Sequence, residues 1–179
     1  MTKKMPDFLI FCDSSFDAKS RTGVGGMLIL PSNELSSQIP IAELRVITKL
    51  FTNMTSARLE LTTILWALSF FKKSFSEEKA NKPYYPDTMV FSDCKTILDL
   101  PSRRDQLQRR GFKSKRTNQP LSNADLYKKY FILYDEIKTQ IIWLKGHSSS
   151  RYHDVVQSIF SRVDKTTRAR LRKLKKSVD

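Results

Sequence analysis

Two aspartates follow apolar runs, and a glutamate lies between them on a stretch of helical periodicity. Asp13 comes directly after the run 8–12, Asp93 closely follows the run 88–91, and Glu60 falls near the start of the helical stretch. Burying an unpaired carboxylate is costly, so acidic residues at the ends of buried strands are unusual. If the two strands lie side by side and parallel, the carboxylates converge at one edge of a sheet, where open α/β sheets place their ligands. Three carboxylates without an obvious basic partner suit a pair of hard divalent cations.

A structural role is the alternative for each aspartate taken alone. Asp13 also suits a turn, and Asp93 also suits the N-cap of a helix, because aspartate is common at both kinds of position. Only the combination of the three acidic residues points to chemistry.

The elements that must position these residues begin with three strands. The run 8–12 is continuous and apolar, which is typical of a strand buried on both faces. Residues 24–30 predict a second strand, in which Gly25 and Gly26 indicate a close backbone approach or a bulge. Residues 41–48 predict a third strand, and the short loops between the three favour an antiparallel meander.

Helical periodicity follows the meander. Apolar residues repeat at helical spacing over 56–71, the polar stretch 74–87 predicts a loop, and 88–91 predict a strand. Three elements complete the chain: a helix over 126–137, a strand over 139–144 and a helix from Val155 onwards.

This order of elements, β-β-β-α-β-α-β-α, predicts an α/β fold. Its sheet would be mixed and five-stranded, with an antiparallel meander of the first three strands, two further parallel strands, and helices on both faces. No linker divides the chain, so we expect a single domain over residues 1–179. Residues 165–179 would form a basic extension of the last helix.

Composition sets the broad class of the protein. The chain has 179 residues, a hydrophobic fraction of 40% and a formal net charge of +14. A protein this basic is expected to bind polyanions. No apolar run reaches the roughly 20 residues of a membrane span, no signal peptide is recognisable, and two cysteines are too few for a disulfide framework or a zinc site. We therefore expect a soluble cytoplasmic protein with no small-molecule cofactor, and a monomer is the simplest expectation.

Four sequence motifs occur in the order and with the spacing of one known family. They are FCDSS with GVGG at 11–15 and 23–26, TSARLEL at 55–61, FSD at 91–93, and WLKGHS at 143–148. Together they resemble type 1 ribonuclease H along almost the whole chain. The resemblance implies an RNase H-like fold and hydrolysis of the RNA strand of an RNA–DNA hybrid, which leaves 3′-hydroxyl and 5′-phosphate ends.

The resemblance also implies a metal site and its ligands. Asp13, Glu60 and Asp93 would hold two Mg²⁺ ions, with Mn²⁺ as a substitute, and a fourth acidic residue after His147 would join them. Asp164 fits the family's local pattern better, but Asp154 stays open as its rival, because the stretch from His147 to Asp164 is longer than usual. His147 would assist proton movement or product departure, which suits an imidazole that titrates near neutrality.

Contacts with both strands of the hybrid follow from the same resemblance. Thr55 and Arg58 would grip a phosphate of the DNA strand, whereas Ser14 and Ser15 lie where backbone groups would meet RNA 2′-hydroxyls. A basic segment looks like the protrusion with which some members of the family hold the DNA strand. Its proposed contact residues are Arg109, Arg110, Phe112 and Lys113.

Several questions stay open at the level of sequence. Ser56, Ala57 and Lys95 depart from the family pattern where strand discrimination is expected. A second basic cluster, within residues 165–176, either extends the nucleic-acid surface or is a solvated terminus. Two other functions compete: a DNA nuclease of the same fold, such as a junction resolvase, and a non-catalytic nucleic-acid-binding module. The candidate carboxylates disfavour the second, because a pure binder of polyanions would gain by losing them.

Overall fold

A five-stranded sheet with helices on both faces organises the protein. The computed structural model describes residues 5–36, 40–75, 77–79, 82–144 and 155–177. Its strands are β1 (Phe8–Asp17), β2 (Thr22–Pro31), β3 (Ile47–Phe51), β4 (Glu77–Lys79), β5 (Lys82–Tyr84), β6 (Thr88–Ser92) and β7 (Gln140–Trp143). Its α-helices are α1 (Ser56–Phe75), α2 (Lys95–Arg109), α3 (Ala124–Ile137) and α4 (Val155–Lys176).

The strand order of the main sheet is β3-β2-β1-β6-β7. β1 pairs antiparallel with β2, and β2 pairs antiparallel with β3, which forms the predicted meander. β6 pairs parallel with β1 on the other side, and β7 pairs parallel with β6. The predicted mixed sheet is confirmed, and β1 lies at its centre. The carboxyl ends of β1 and β6 are therefore neighbours, and Asp13 and Asp93 lie at the same edge of the sheet.

Side-chain alternation along β1 assigns its residues to two hydrophobic layers. Ile10 and Cys12 belong to the layer that contains α1, α2 and α3. Leu9 and Phe11 belong to the layer that contains α4. Asp13 lies two residues beyond Phe11 and so continues the row that faces α4. Cys12 turns to the opposite face, as expected from the sequence.

Two adjacent glycines of β2 let helices approach both faces of the sheet closely. A Cβ added to Gly25 would lie 2.4 Å from Thr63 Oγ1 of α1, and one added to Gly26 would lie 2.4 Å from Thr167 Cγ2 of α4. Such contacts are far shorter than van der Waals separation, so any larger residue would push a helix outwards. Gly26 is paired with Asp13 across the β1–β2 ladder. The close backbone approach indicated by the sequence is therefore real, and it occurs beside the acidic residue.

The structure corrects the predicted third strand. Residues 41–48 were expected to be extended, but Ile41–Glu43 form a short 3-10 turn and the strand runs over Ile47–Phe51. Ile41 and Val46 pack against the hydrophobic layer under α4 instead of extending the sheet. Their apolar character reflects this packing rather than strand pairing.

Two other elements differ from the sequence prediction. The expected loop over 74–87 contains the last turn of α1 and a two-stranded hairpin of β4 and β5. The chain also forms α2, which the predicted order omits. This helix is mostly polar, contains Pro101 and buries only Ile97, Leu100 and Leu107, so its apolar periodicity is weak. None of the described helices is long and apolar enough to cross a membrane.

Candidate active site

Asp13 lies at the centre of the site and is largely buried. Its side chain is only 9% exposed, and its Oδ2 accepts a hydrogen bond from Thr167 Oγ1 at 3.3 Å. Burial, followed by the nearby carboxylates of Asp93 and Asp164, raises the pKa of Asp13 to about 7. A buried carboxylate surrounded by others of the same charge favours protonation or a bound cation.

Asp93 and Asp164 reach Asp13 from different elements. Asp93 directly follows β6, and Asp164 lies on α4, the helix that faces Asp13. Partial burial and the charge of Asp164 raise the pKa of Asp93, while Arg168 acts in the opposite direction. Arg168 Nε lies 2.5 Å from Asp164 Oδ1. α4 thus carries both a fourth carboxylate and a cation that partly compensates it.

Glu60 approaches from the other face of the sheet. It lies in the second turn of α1 and lines a shallow depression together with Asp13, Thr63, Ser92 and Asp93. Burial is the main cause that raises the pKa of Glu60, and the charge of Asp93 raises it further. Hydrogen bonds from the Cys94 thiol and the Ser56 hydroxyl lower it. The Ser56 bond is 3.4 Å long.

The side chains at this edge fit a hard divalent cation by their chemistry. The four carboxylates offer oxygen donors. Nearby negative charge raises the pKa of Asp13, Glu60 and Asp93, and within the described residues Arg168 is the one cation that opposes this, by acting on Asp93. Among those residues, no three His, Cys, Asp or Glu side chains are already arranged as metal ligands. Binding therefore requires side-chain adjustment that draws the carboxylates together, which a divalent charge would favour.

The structure adds residues that the sequence analysis did not assign to the site. Thr167 and Arg168 follow Asp164 by three and four positions, so they share its face of α4. Cys94 is buried, and its side chain hydrogen-bonds Glu60. Trp143 is half-buried beside Asp93, and Lys95 Nζ lies 5.3 Å from the centre of its ring. The i+3 and i+4 spacing from Asp164 could have indicated Thr167 and Arg168 from the sequence. Cys94 and Trp143 reach the site only through the pairing of strands, which the sequence does not show.

The predicted contacts of the first strand and of α1 lie close to the carboxylates. Ser14 and Ser15 continue β1 past Asp13 and are half-buried. Thr55 immediately precedes α1, and its Oγ1 accepts a hydrogen bond from the Arg58 backbone at 3.3 Å. The Arg58 guanidinium is occupied within the chain. It contacts both carboxylate oxygens of Asp125 at the start of α3, at 3.0 and 2.5 Å.

The structure corrects the predicted role of Phe112. Phe112 was expected to contact the deoxyribose or the backbone of the DNA strand, but it is 8% exposed and belongs to the core layer around α3, where it packs against Phe131. The other residues of 109–116 are polar, basic or glycine, so no apolar pattern indicated this burial. Arg109, Arg110 and Lys113 lie on either side of Phe112 and are exposed to solvent. The buried ring of Phe112 attaches this basic segment to the core.

Two sequence predictions lie outside the described residues. They concern His147 and Asp154, the rival of Asp164. Asp164 itself lies beside Asp13, as described above.

Comparisons with known proteins show what this chain is similar to. The RNase H family profile matches residues 5–168, and no curated protein matches. The RNase H domain of PFV superposes with a TM-score of 0.67 at 15% identity, covering 93% of this chain and 94% of that one. LC9-RNase H1, described as a type 1 RNase H with the type 2 active-site motif, gives a TM-score of 0.63 at 14% identity, covering 94% and 74%.

A third structure is the foamy viral protease-reverse transcriptase in complex with dsDNA. It gives a TM-score of 0.59 at 10% identity and covers 90% of this chain and 94% of that one. Identities this low show a shared fold alone. The family profile, in contrast, spans most of the sequence and includes Asp13, Glu60, Asp93 and Asp164. This chain belongs to the RNase H family.

Proposed function

We propose that this protein is a divalent-metal-dependent endonuclease that hydrolyses the RNA strand of RNA–DNA hybrids. The observation that carries the proposal is the convergence of Asp13, Glu60, Asp93 and Asp164 at one edge of the sheet, from four separate elements. Family membership supports the same reaction. The products would be a 3′-hydroxyl and a 5′-phosphate.

The four carboxylates would hold two Mg²⁺ ions, or Mn²⁺ as a substitute. When bound, such a pair activates a water nucleophile and stabilises the leaving 3′ oxygen. Asp13 would be the central ligand of the pair, because it lies on the central strand between the other acidic side chains. The Thr167 hydroxyl lies 3.3 Å from one oxygen of Asp13 and 2.8 Å from the backbone carbonyl of Asp164, so its single hydrogen is shared between these two acceptors. His147 remains the proposed group for proton movement or product departure.

The chain's own residues would also orient the hybrid. Ser14 and Ser15 lie directly beyond Asp13 on β1, where their backbone groups can meet the 2′-hydroxyls of the RNA strand. The exposed cations Arg109, Arg110 and Lys113 would hold the phosphates of the DNA strand. We propose that the protein acts as a monomer in the cytoplasm.

A cleavage assay tests this proposal. One labelled strand is presented as RNA in a hybrid, RNA in an RNA duplex and DNA in a DNA duplex, with Mg²⁺ or with EDTA. We expect cleavage of the hybrid alone, only with Mg²⁺, and a loss of at least about 100-fold in Asp13→Asn and Glu60→Gln. Asp99→Asn makes the same change from carboxylate to carboxamide at an exposed position on α2. It is the matched control and should cleave the hybrid at the rate of the parent protein.

Other outcomes would redirect the assignment. Cleavage of the DNA duplex would favour a DNA nuclease of the same fold. Binding of the hybrid without cleavage would favour a non-catalytic module. Full activity in Asp13→Asn would contradict the proposed metal site.

A further inference from the structure

The C-terminal half of α4 carries cations that the active site does not use. We call residues 165–176 of this helix the basic arm. Val163, Thr167 and Leu171 form the buried stripe of the helix. At 100° per residue, Lys165, Arg172 and Lys176 lie within about 40° of one another on the opposite, solvent-facing side. All three are exposed, so they form a straight cationic row.

The arm is held rigidly against the sheet. Leu171 is buried on the inner side of the arm, and Lys175 Nζ forms an ion pair with Asp17 Oδ1 at 2.8 Å. Asp17 is the last residue of β1, so this ion pair fixes the far end of the helix to the strand that carries Asp13. The helix continues to Lys176, which argues against the alternative of a solvated, frayed terminus.

Charges on the arm divide into two groups. Arg168 and Lys175 are neutralised by Asp164 and Asp17. The remaining cations have no carboxylate partner within the part of the chain that the structure describes; they are Lys165, Arg170, Arg172, Lys173 and Lys176. A row of like charges without counter-charges repels itself, and a polyanion would relieve that repulsion.

We propose that the basic arm, which begins at the residue after Asp164, is a second binding surface for the hybrid duplex. Asp164 lies beside Asp13, and Lys176 is twelve residues further along the same helix, which corresponds to about 18 Å. One duplex strand carries a phosphate about every 3.4 Å along its axis. With the helix lying along the duplex, this length would span about five base pairs.

The preorganised helix makes this contact inexpensive in entropy. Cations on a rigid, anchored helix lose less freedom on binding than cations on a mobile tail. The row also lies away from the reacting atoms, so it should affect substrate affinity and leave the chemical step unchanged. This inference rests on the proposed function only in its choice of nucleic acid.

A triple variant tests the arm. Lys165→Gln, Arg172→Gln and Lys176→Gln together remove the row and keep good helix formers. The matched control is Arg45→Gln, Lys73→Gln and Lys138→Gln, which removes the same charge from exposed positions outside the basic arm. Both variants and the parent are titrated with a fluorescent 18-base-pair RNA–DNA hybrid in EDTA over a range of salt concentrations. Unfolding temperatures verify that both variants are folded.

We expect the arm variant to bind the hybrid at least about 10-fold more weakly at 0.1 M salt. The slope of log K against log salt should fall by about 2 to 3, close to 0.9 for each lost phosphate contact. In cleavage assays KM should rise while kcat stays the same. The control variant should change affinity less than about threefold.

Equal losses in both variants, or no loss in either, would overturn the proposal. The first result would mean that only net charge matters, and the second that the arm serves another partner, such as an anionic lipid surface. Failure of the proposed function has a different signature. The parent would then bind the hybrid without cutting it, and the affinity comparison would still decide the role of the arm.

Discussion

The indole Nε1–H of Trp143 donates a hydrogen bond to the backbone carbonyl of Asp93, over 3.1 Å. The bond joins the end of β7 to the residue that follows β6, where Ser92 pairs with Trp143. It restrains the backbone that presents one of the four carboxylates. We therefore expect Trp143 to be a positioning residue that acts through Asp93.

Trp143→Phe should lower kcat about 3- to 10-fold and leave KM nearly unchanged. Phenylalanine keeps a ring for packing but lacks the N–H, so the loss reports the hydrogen bond, which contributes about 1 kcal/mol to stability. Single-turnover cleavage and urea unfolding measure the two effects. Trp66→Phe on α1 is the control. Equal losses of kcat in the two variants would show that the effect is general packing.

Gly26→Ala should impair the active site through α4. The added Cβ would meet Thr167 Cγ2 at 2.4 Å and Val163 Cγ1 at 3.2 Å, so the helix must move outwards. It would take Asp164 and the Thr167 hydroxyl away from Asp13. We expect a stability loss of about 1–3 kcal/mol and a lower kcat, measured by urea unfolding and cleavage of a hybrid.

A second substitution makes the Gly26 prediction specific. Thr167→Ser removes the methyl group that clashes and keeps the hydroxyl that donates to Asp13. The double variant should regain part of both stability and activity. If Thr167→Ser fails to rescue Gly26→Ala, the close approach of α4 is not the cause of the loss.

The sequence was sufficient for the sheet and for three carboxylates because strong local signals mark them. Continuous apolar runs define β1 and β6, and each run is followed closely by an aspartate. The third strand was misplaced because Ile41 and Val46 are apolar for packing under α4. α2 was missed because its buried residues are few and its surface is basic. Local patterns report burial, and they do not distinguish burial in a sheet from burial beneath a helix.

The partners of the site residues were less accessible to sequence reasoning. Arg58 and Asp125 are far apart in the chain, and only the packing of α1 against α3 brings them together. The burial of Phe112 depends on the same packing, with Lys128 Nζ lying 5.3 Å from the centre of its ring. Such contacts depend on tertiary structure, so no local sequence motif predicts them.

Asp13 should destabilise the metal-free protein at neutral and alkaline pH. Its pKa is about 7 in the folded protein, against the ordinary aspartate value of 3.8. The folded state therefore binds more protons than the unfolded state between these values, so the free energy of unfolding falls as pH rises through this interval. Asp13→Asn removes the effect. In EDTA the variant should be more stable than the parent by roughly 2–4 kcal/mol at pH 8, and by much less near pH 4.

Urea unfolding at several pH values, with EDTA throughout, measures this difference. Asp99→Asn serves as the control, because its carboxyl is exposed on α2. Mg²⁺ should stabilise the parent at pH 8 and have little effect on Asp13→Asn, because the ionised carboxylates are the ligands. A difference between parent and Asp13→Asn that does not change with pH would contradict the assigned burial cost.

The Arg58–Asp125 pair yields the most direct test of phosphate binding by α1. The two side chains are 32% and 58% exposed, so their ion pair should contribute no more than about 1 kcal/mol to stability. A planar guanidinium binds a phosphate as readily as a carboxylate. We expect a DNA phosphate to replace Asp125 as the partner of Arg58 when the hybrid binds.

Arg58→Ala and Asp125→Asn should therefore have opposite effects on affinity for the hybrid. Both remove the ion pair, and both should lower stability by a similar small amount. Arg58→Ala loses the phosphate contact and should weaken binding several-fold, whereas Asp125→Asn frees the guanidinium and should maintain or strengthen it. Anisotropy titrations in EDTA with the 18-base-pair hybrid measure both. An equal weakening of binding in the two variants would instead show that the ion pair only links α1 to α3. In that case Thr55 and the exposed cations after α2 would hold the DNA strand.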